Sequence, residues 1–557
     1  MMPALALPVA ASLDVGPTGT VRLTAFPIAL AILDPYVWEC AWNSLAMAGA
    51  VTFASYVSGV GLGRLLSDRR FWGRRPLATL ACAGMAVPPA FGAIGLRWAF
   101  GPSGWFASPG DWSGLGYAEG FWSPWLVWFW VASTTSAPVV GLATRSALRS
   151  VDPAWRDAAL WAGASPRRAW RHLLWPVARP EVARALGAVF TLTLLEPGAP
   201  MVLGLRRTLG FQVVRSALAV PSPGELSRAA VLASLGTLLA IVGARTIRWW
   251  GGTPLDPPPW RVEPIPRTRP ARWPVAALLT ATLAILGLVA WLPGLALLAA
   301  SLSGGEFAVY PPLFDDPLTR SALIHSAALG LAVLALDVVL ARVALWASFT
   351  SLGRRFEVAD WPQAVPPLAV GVGVLALAGL LQSATGPGGT GPSGVVSASL
   401  RGVARFLDPA QTPGVALLLA VAAVRLPMLA RSVVAIRTRM NPAHVDAAVT
   451  LGASRGRALR WFSGGWSGAS PGALALTFSL AATSVTPALI LCPTAEARPV
   501  GPAVLSLADA PDQGIVRASA LGTLAVAVNL AALAVAASPN HRRAHRGTRL
   551  PSQVGTG

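Results

Sequence analysis

The stretch Val275–Ser301, VAALLTATLAILGLVAWLPGLALLAAS, carries no charged residue. As an α-helix it is long enough to cross the hydrocarbon of a bilayer, which takes about 20 residues. Similar apolar stretches precede it at Trp42–Leu65, Leu77–Phe100, Trp125–Leu148, Glu181–Gly204 and Ala229–Arg248. Others follow at Ala322–Ala347, Trp361–Leu381, Gly414–Ile436, Pro471–Cys492 and Gly514–Ala537. In lipid every backbone amide must find its partner within the chain, so this series predicts an all-α membrane protein of eleven spans. A twelfth follows if Met2–Leu13, MPALALPVAASL, is the tail of a first helix. It looks like Leu292–Leu302, LPGLALLAASL, but is too short to span by itself, and upstream residues are expected to complete it.

Composition narrows the alternatives. Only 12% of the 557 residues are charged and the mean hydropathy is +0.57, against about 25% charged residues in soluble domains. The chain has no lysine, so all 44 basic residues are arginine. A phosphate-binding loop of the Walker A type needs a Gly-Lys pair, and the chain therefore holds no ATPase site of its own. The net charge of +20 lies in arginines between apolar spans, where they act as topology signals and headgroup contacts. No nucleic-acid role is expected. Cys40, Cys82 and Cys492 have neither metal-ligand nor disulfide-framework spacing, and no metal or catalytic residue is assigned. His325 is read as a helix-start residue, and His172 and His444 as tuning docking rather than binding metal.

The arginines also predict sidedness. Arg69, Arg70, Arg74 and Arg75 put Leu66–Pro76 in the cytoplasm, and the arginine-free loop with Asp111 and Glu119 lies outside. Leu205–Arg228, with Arg206, Arg207, Arg215 and Arg228, goes against this rule and is kept outside by the span count. The segment 248–274 is rich in proline and arginine and reads as a cytoplasmic linker. Residues 538–557 read as a basic cytoplasmic tail.

One element is doubled. Val151–Pro176, VDPAWRDAALWAGASPRRAWRHLLWP, recurs in constant register as Met440–Gly465, MNPAHVDAAVTLGASRGRALRWFSGG. Asp157, Ala158, Ala159, Gly163 and Ser165 fall on Asp446, Ala447, Ala448, Gly452 and Ser454, and Pro138 falls on Pro427. Each copy reads as helix, break, helix. Asp152 and Asn441 are N-caps, with proline at the first helical position. Gly163 and Gly452 close the first helix, and Ser165 and Ser454 open a second, arginine-rich one. Asn43-Ser44 repeats as His325-Ser326, so the whole chain divides into two homologous halves of about six helices each. The halves are 1–247, with a truncated first helix, and 275–537.

The pattern Asp-Ala-Ala, three residues, Gly-Ala-Ser resembles the EAA loop of permease subunits of bacterial ATP-binding-cassette importers. The first copy extends the match to Trp175-Pro176, whereas the second has Gly464-Gly465 there, and aspartate replaces the family glutamate in both. Two such loops with about twelve spans look like the fused permeases of ferric-iron and thiamine importers. That resemblance implies the type I importer permease fold, in the bacterial inner membrane with both loops cytoplasmic. It also implies a solute-binding protein and an ATPase subunit, the latter expected as a homodimer, as partners. ATP and magnesium would be held by that ATPase, with no cofactor on this chain. Leu194–Gly204, LLEPGAPMVLG, looks more like the ferric-iron branch.

The helix after each element is the expected lining of a translocation path. The candidates are Thr191, Thr193, Glu196, Pro197 and Pro200 in the first half and Ser479, Thr483, Ser484, Thr486 and Pro487 in the second. Prolines and hydroxyls at membrane depth interrupt a helix where it borders a cavity. Glu196 is either a functional carboxylate or a capped charge near the headgroups, and Asp337 is a second intramembrane acid with Arg342 one turn on. A secondary transporter would need coupling acids that are sparse here, and a membrane scaffold would leave the doubled element unexplained.

Overall fold

The computed structural model describes residues 13–15, 21–23, 26–71, 74–101, 104–105, 124–149, 151, 153–219, 224–252, 269–270, 273–304, 308–348, 365–385, 402–403, 405, 407–408, 413–439, 442–454, 457–458, 471–492, 494–511 and 513–537. The expected N-caps Asp152 and Asn441, Met2–Ser12, most of the linker and the basic tail lie outside the described residues.

The first half comprises α1 (Phe26–Leu33), α2 (Pro35–Asp68), α3 (Arg74–Ala83), α4 (Pro89–Ala99), α5 (Pro124–Arg149), α6 (Pro153–Trp161), α7 (Pro166–Ala169), α8 (Trp175–Leu194), α9 (Gly198–Val202), α10 (Leu209–Leu218) and α11 (Glu225–Gly251). The second comprises α12 (Trp273–Leu302), α13 (Tyr310–Asp315), α14 (Pro317–Ser348), α15 (Pro367–Thr385), α16 (Pro413–Arg439), α17 (Pro442–Thr450), α18 (Pro471–Ala482), α19 (Thr486–Leu491), α20 (Val500–Ala508) and α21 (Gly514–Ala537). Many of these start on proline, whose missing N–H is an orphan in the first turn anyway. Extended structure among the described residues is limited to the antiparallel pair Leu13–Val15 with Val21–Leu23 and the two-residue bridge of Arg69-Arg70 with Arg269-Pro270. The fold is all-α.

Among the described residues eight helices are long and apolar enough to cross a membrane, or nine if a bent pair is one span, against the eleven expected; Pro367–Leu381 and Gly414–Leu426 are apolar but shorter. The bent pair departs from the straight second span that the sequence suggests. Leu77–Phe100 is not one helix: α3 and α4 meet at 98° across Pro88. The cause is local. Pro89 starts α4, and Pro88 before it is held extended at φ −56°, ψ 143°. The same Val-Pro-Pro signal, Val87-Pro88-Pro89, recurs as Val365-Pro366-Pro367 where α15 begins. Another difference concerns the doubled element. Its second helix is not a separate piece but runs through a π-turn at Trp170–Leu174 into α8, giving one apolar unit over Pro166–Val202. α11 continues to Gly251, into the stretch read as linker.

Large aliphatic side chains point outward along α12, with Leu278, Ile285 and Leu288 exposed, as a lipid-facing helix requires. Its other face joins the halves: α12 packs on α3, α4 and α21. Gly95 makes this approach possible, because a Cβ there would lie 2.5 Å from Leu297 N and 2.6 Å from Pro293 O. In return α15 of the second half packs on α11 of the first. The largest buried cluster accordingly mixes both halves, with Phe91, Ile94 and Trp128 against Leu297, Val504 and Leu521.

Candidate functional site

Where both copies of the doubled element are described, their first helix and turn fold alike. α6 and α17 both start on proline and end at glycines in the left-handed region, Gly163 at φ +83° and Gly452 at φ +91°. Gly163 N donates to Leu160 O and Ala164 N to Ala159 O; Gly452 N donates to Val449 O and Ala453 N to Ala448 O. This is the Schellman pattern, in which two reversed bonds satisfy carbonyls that the helix end would leave orphaned. Ser165 Oγ then accepts from Arg168 N at 3.3 Å as the N-cap of α7. Ser454 O accepts from Arg457 N and Ala458 N in the second copy. Ala158, Ala447 and Asp446 are exposed, and Asp157, Ala159 and Ala448 half-buried, so each first helix presents a small-residue face outward.

Beneath the first hairpin lies an aromatic joint. Arg64 of α2 stacks on Trp170 at 4.3 Å, and Arg179 of α8 stacks on Trp250 at 4.8 Å. Trp175 sits 6.1 Å from Tyr56 of α2 and 6.2 Å from Trp250 of α11. The hairpin is thereby tied to two spans besides the one it continues into. In the second copy Gly464-Gly465 lies outside the described residues.

Each of these units leads to a broken span. α8 stops at Leu194 and α9 resumes at Gly198; α18 stops at Ala482 and α19 resumes at Thr486. The interruptions therefore fall on the residues singled out for the path. Thr193, Pro197, Thr483, Ser484 and Pro487 are buried, and Glu196 and Thr486 half-buried. Glu196 is a cap: Oε1 accepts from Gly198 N at 2.9 Å, and Oε2 accepts from Ala199 N at 3.1 Å, placing the carboxylate on the N-terminus of α9. The two breaks meet, since a Cβ on Gly198 would come 3.5 Å from Val485 Cγ1. Thr483 Oγ1 donates to Asn529 Oδ1, and Asn529 Nδ2 donates to Ala86 O at the bend of the first half.

A short helix covers each break, again in duplicate. Ser44 Oγ accepts from Leu209 N at 2.9 Å, and Ser326 Oγ accepts from Val500 N at 2.8 Å, so the repeated serines cap α10 and α20. The next residue is glycine in both: a Cβ at Gly210 would be 2.8 Å from Glu196 O, and one at Gly501 would be 2.4 Å from Ser484 O. The loop that carries Arg206 and Arg207 is anchored rather than free. Arg207 Nη1 donates to Glu39 Oε1 at 2.7 Å, and this bond and charge raise the arginine above its ordinary pKa.

Residues 59–249 match the model of the family described as binding-protein-dependent transport system inner membrane component. The match supports an inner-membrane permease component of an ATP-binding-cassette transporter. No curated protein matches the chain. The matched segment runs from within α2 to near the end of α11 and contains the first hairpin, the first break and, of the aromatic joint, Arg64, Trp170, Trp175 and Arg179. The turn at Gly452 and the break between α18 and α19 repeat its geometry outside the matched range.

Asn529 and Arg425 were not singled out from sequence. Each interrupts an apolar run, Arg425 within 413–430 and Asn529 within 524–537, which is itself a signal of function at membrane depth. Among the described residues no group of three or more histidine, cysteine, aspartate or glutamate side chains is placed to hold a metal ion.

Proposed function

We propose that this chain is a fused permease, both halves in one polypeptide, of an importer driven by an ATPase carried on other subunits. Each hairpin docks one ATPase subunit through its exposed face, and ATP-driven closure of the ATPase pair draws the hairpins together. The spans they continue into then carry the motion to the two breaks, which alternate access to a solute delivered by a binding protein. Both hairpins and the tail face the cytoplasm in this reading. The observation that supports it is that two parts recur, a Schellman-closed turn after α6 and α17 and a broken span further along each half, with the breaks in contact. ATP and substrate bias one two-state equilibrium from separate sites. Ferric iron is the first substrate candidate and thiamine the next, on the likeness of Leu194–Gly204 to the iron branch.

The test is uptake of radiolabelled ferric citrate, and in parallel thiamine, by vesicles holding the chain, its ATPase and its binding protein. Ala158→Trp and Ala447→Trp place bulk on exposed docking faces without disturbing the core. Uptake should require ATP and fall at least tenfold in either variant. Full uptake in the double variant would overturn docking through these helices.

A further inference from the structure

The break in the second half leaves one backbone acceptor stranded. Thr483 N bonds Ser479 O at 3.0 Å, but Ser484 N turns to Ala481 O at 3.1 Å, so Leu480 O loses the amide a continued helix would supply. Arg425 of α16 fills that place, its Nη2 donating to Leu480 O at 2.9 Å. A guanidinium at the C-terminus of α18 also opposes the negative end of that helix dipole. Asp337 of α14, the helix packed on α16 and α18, is fully buried, and neither its carboxylate oxygens nor Arg425 Nε has a hydrogen-bond partner among the described residues. α14, α16 and α18 pack against one another, so both charges are enclosed by three helices. An isolated charge at this depth is costly, and two opposite charges offset each other.

The first half lacks this arrangement. In the register that pairs Ser44 with Ser326, Asp337 falls on Ser55; in the register that pairs Pro138 with Pro427, Arg425 falls on Ser136. Conversely Glu196, which caps the far side of the first break, falls on Ser484 when Leu194 is set on Ala482. Each half therefore bears charge where the other bears serine.

We propose that Asp337 and Arg425 are positioning residues for the second break: Arg425 fixes the end of α18 by capping Leu480, and Asp337, buried among the same three helices, supplies the opposite charge that makes a buried guanidinium tolerable there. The functional weight of this pair rests on the reading of the breaks as the moving parts of a permease. The geometry itself does not, and can be tested without solute or ATPase.

The experiment is hydrogen exchange of the full chain in lipid nanodiscs, followed by mass spectrometry of peptides covering 480–491 and, as reference, 192–202. Arg425→Gln should speed exchange in 480–491 by about tenfold or more, the size expected for one hydrogen bond to a charged group. The reference segment should keep its rate, which reports that the variant is folded. Arg425→Lys, which restores a cationic donor, should recover part of the protection. Asp337→Asn should loosen the same segment, and the double variant should be no worse than Arg425→Gln alone, because the two residues act through one contact. Unchanged exchange in Arg425→Gln, or equal loosening of both segments, overturns the proposal; so does strict additivity. In a parallel arm, basal ATP hydrolysis by the assembled transporter should rise in Arg425→Gln. Faster exchange without that rise leaves the capping role standing and counts against the coupling reading.

Discussion

Replacing Gly163 or Gly452 separates backbone conformation from bulk at the hairpin turn. Both glycines have positive φ, +83° and +91°, and a Cβ added at either would meet nothing within 4 Å. Substitution therefore costs only the left-handed conformation, about 1–2 kcal/mol for an ordinary L-residue and less for asparagine. That corresponds to roughly 5- to 30-fold on the equilibrium between the closed hairpin and an open turn. If the ATPase binds the closed hairpin, its affinity for the chain in nanodiscs should fall in the order Gly, Asn, Ala, Val, as measured by surface plasmon resonance. The ranking should be the same at both sites, because the two turns make the same bonds. A ranking by side-chain volume, with Asn no better tolerated than a smaller Ala, would refute the argument. So would equal affinity of all variants.

Other outcomes follow from contacts already described. Gly95→Ala should force α4 from α12 and lower the melting temperature in detergent by the equivalent of about 1–3 kcal/mol, since backbone atoms lie at 2.5 and 2.6 Å. Gly49→Ala, where a Cβ meets nothing within 4 Å, should be neutral or stabilising in the same assay. Ser44→Ala and Ser326→Ala each strand one buried amide, Leu209 N and Val500 N. Each should cost about 1–3 kcal/mol by denaturant unfolding, and clearly unequal losses would speak against a duplicated unit. Glu196→Ala should release the N-terminus of α9 at a cost of about 1–2 kcal/mol, seen as faster exchange in 198–202, while Glu196→Gln should lose less because it keeps an acceptor.

The apolar series made the helices legible, because lipid leaves the backbone no choice but to bond within each span. The turn of the doubled element was legible to the level of single bonds. Gly163 and Gly452 could be assigned as closing residues because only glycine adopts that conformation cheaply, and Ser165 because its hydroxyl suits an N-cap. The sites of interruption were also readable from Pro197 and Pro487. What escaped was the 98° bend in the second span. Hydropathy reports how apolar a stretch is and not its direction, and Leu77–Phe100 has a continuous apolar composition across Pro88-Pro89. The repeat of Val-Pro-Pro at 365–367 would have exposed it. Pairings between distant helices, such as Asn529 with Ala86 and Arg425 with Leu480, have no local pattern at all.

The breaks show what duplication has kept and what it has let drift. A helix interrupted within a membrane strands carbonyls on one side of the gap and amides on the other, and lipid supplies partners to neither. The first half answers at the amide side, with the Glu196 carboxylate on the N-terminus of α9. The second answers at the carbonyl side, with the Arg425 guanidinium on the C-terminus of α18. Both choices place a charge where the helix dipole favours it, so either can hold the gap. A cation within apolar helices is less costly beside an anion, and Asp337 is buried among the helices that enclose Arg425, whereas Ser55 and Ser136 stand at the equivalent positions of the first half. Backbone geometry is thus common to the two halves while the side chains that enforce it are not. That is the pattern expected when the break itself, rather than any one residue at it, is what the molecule needs.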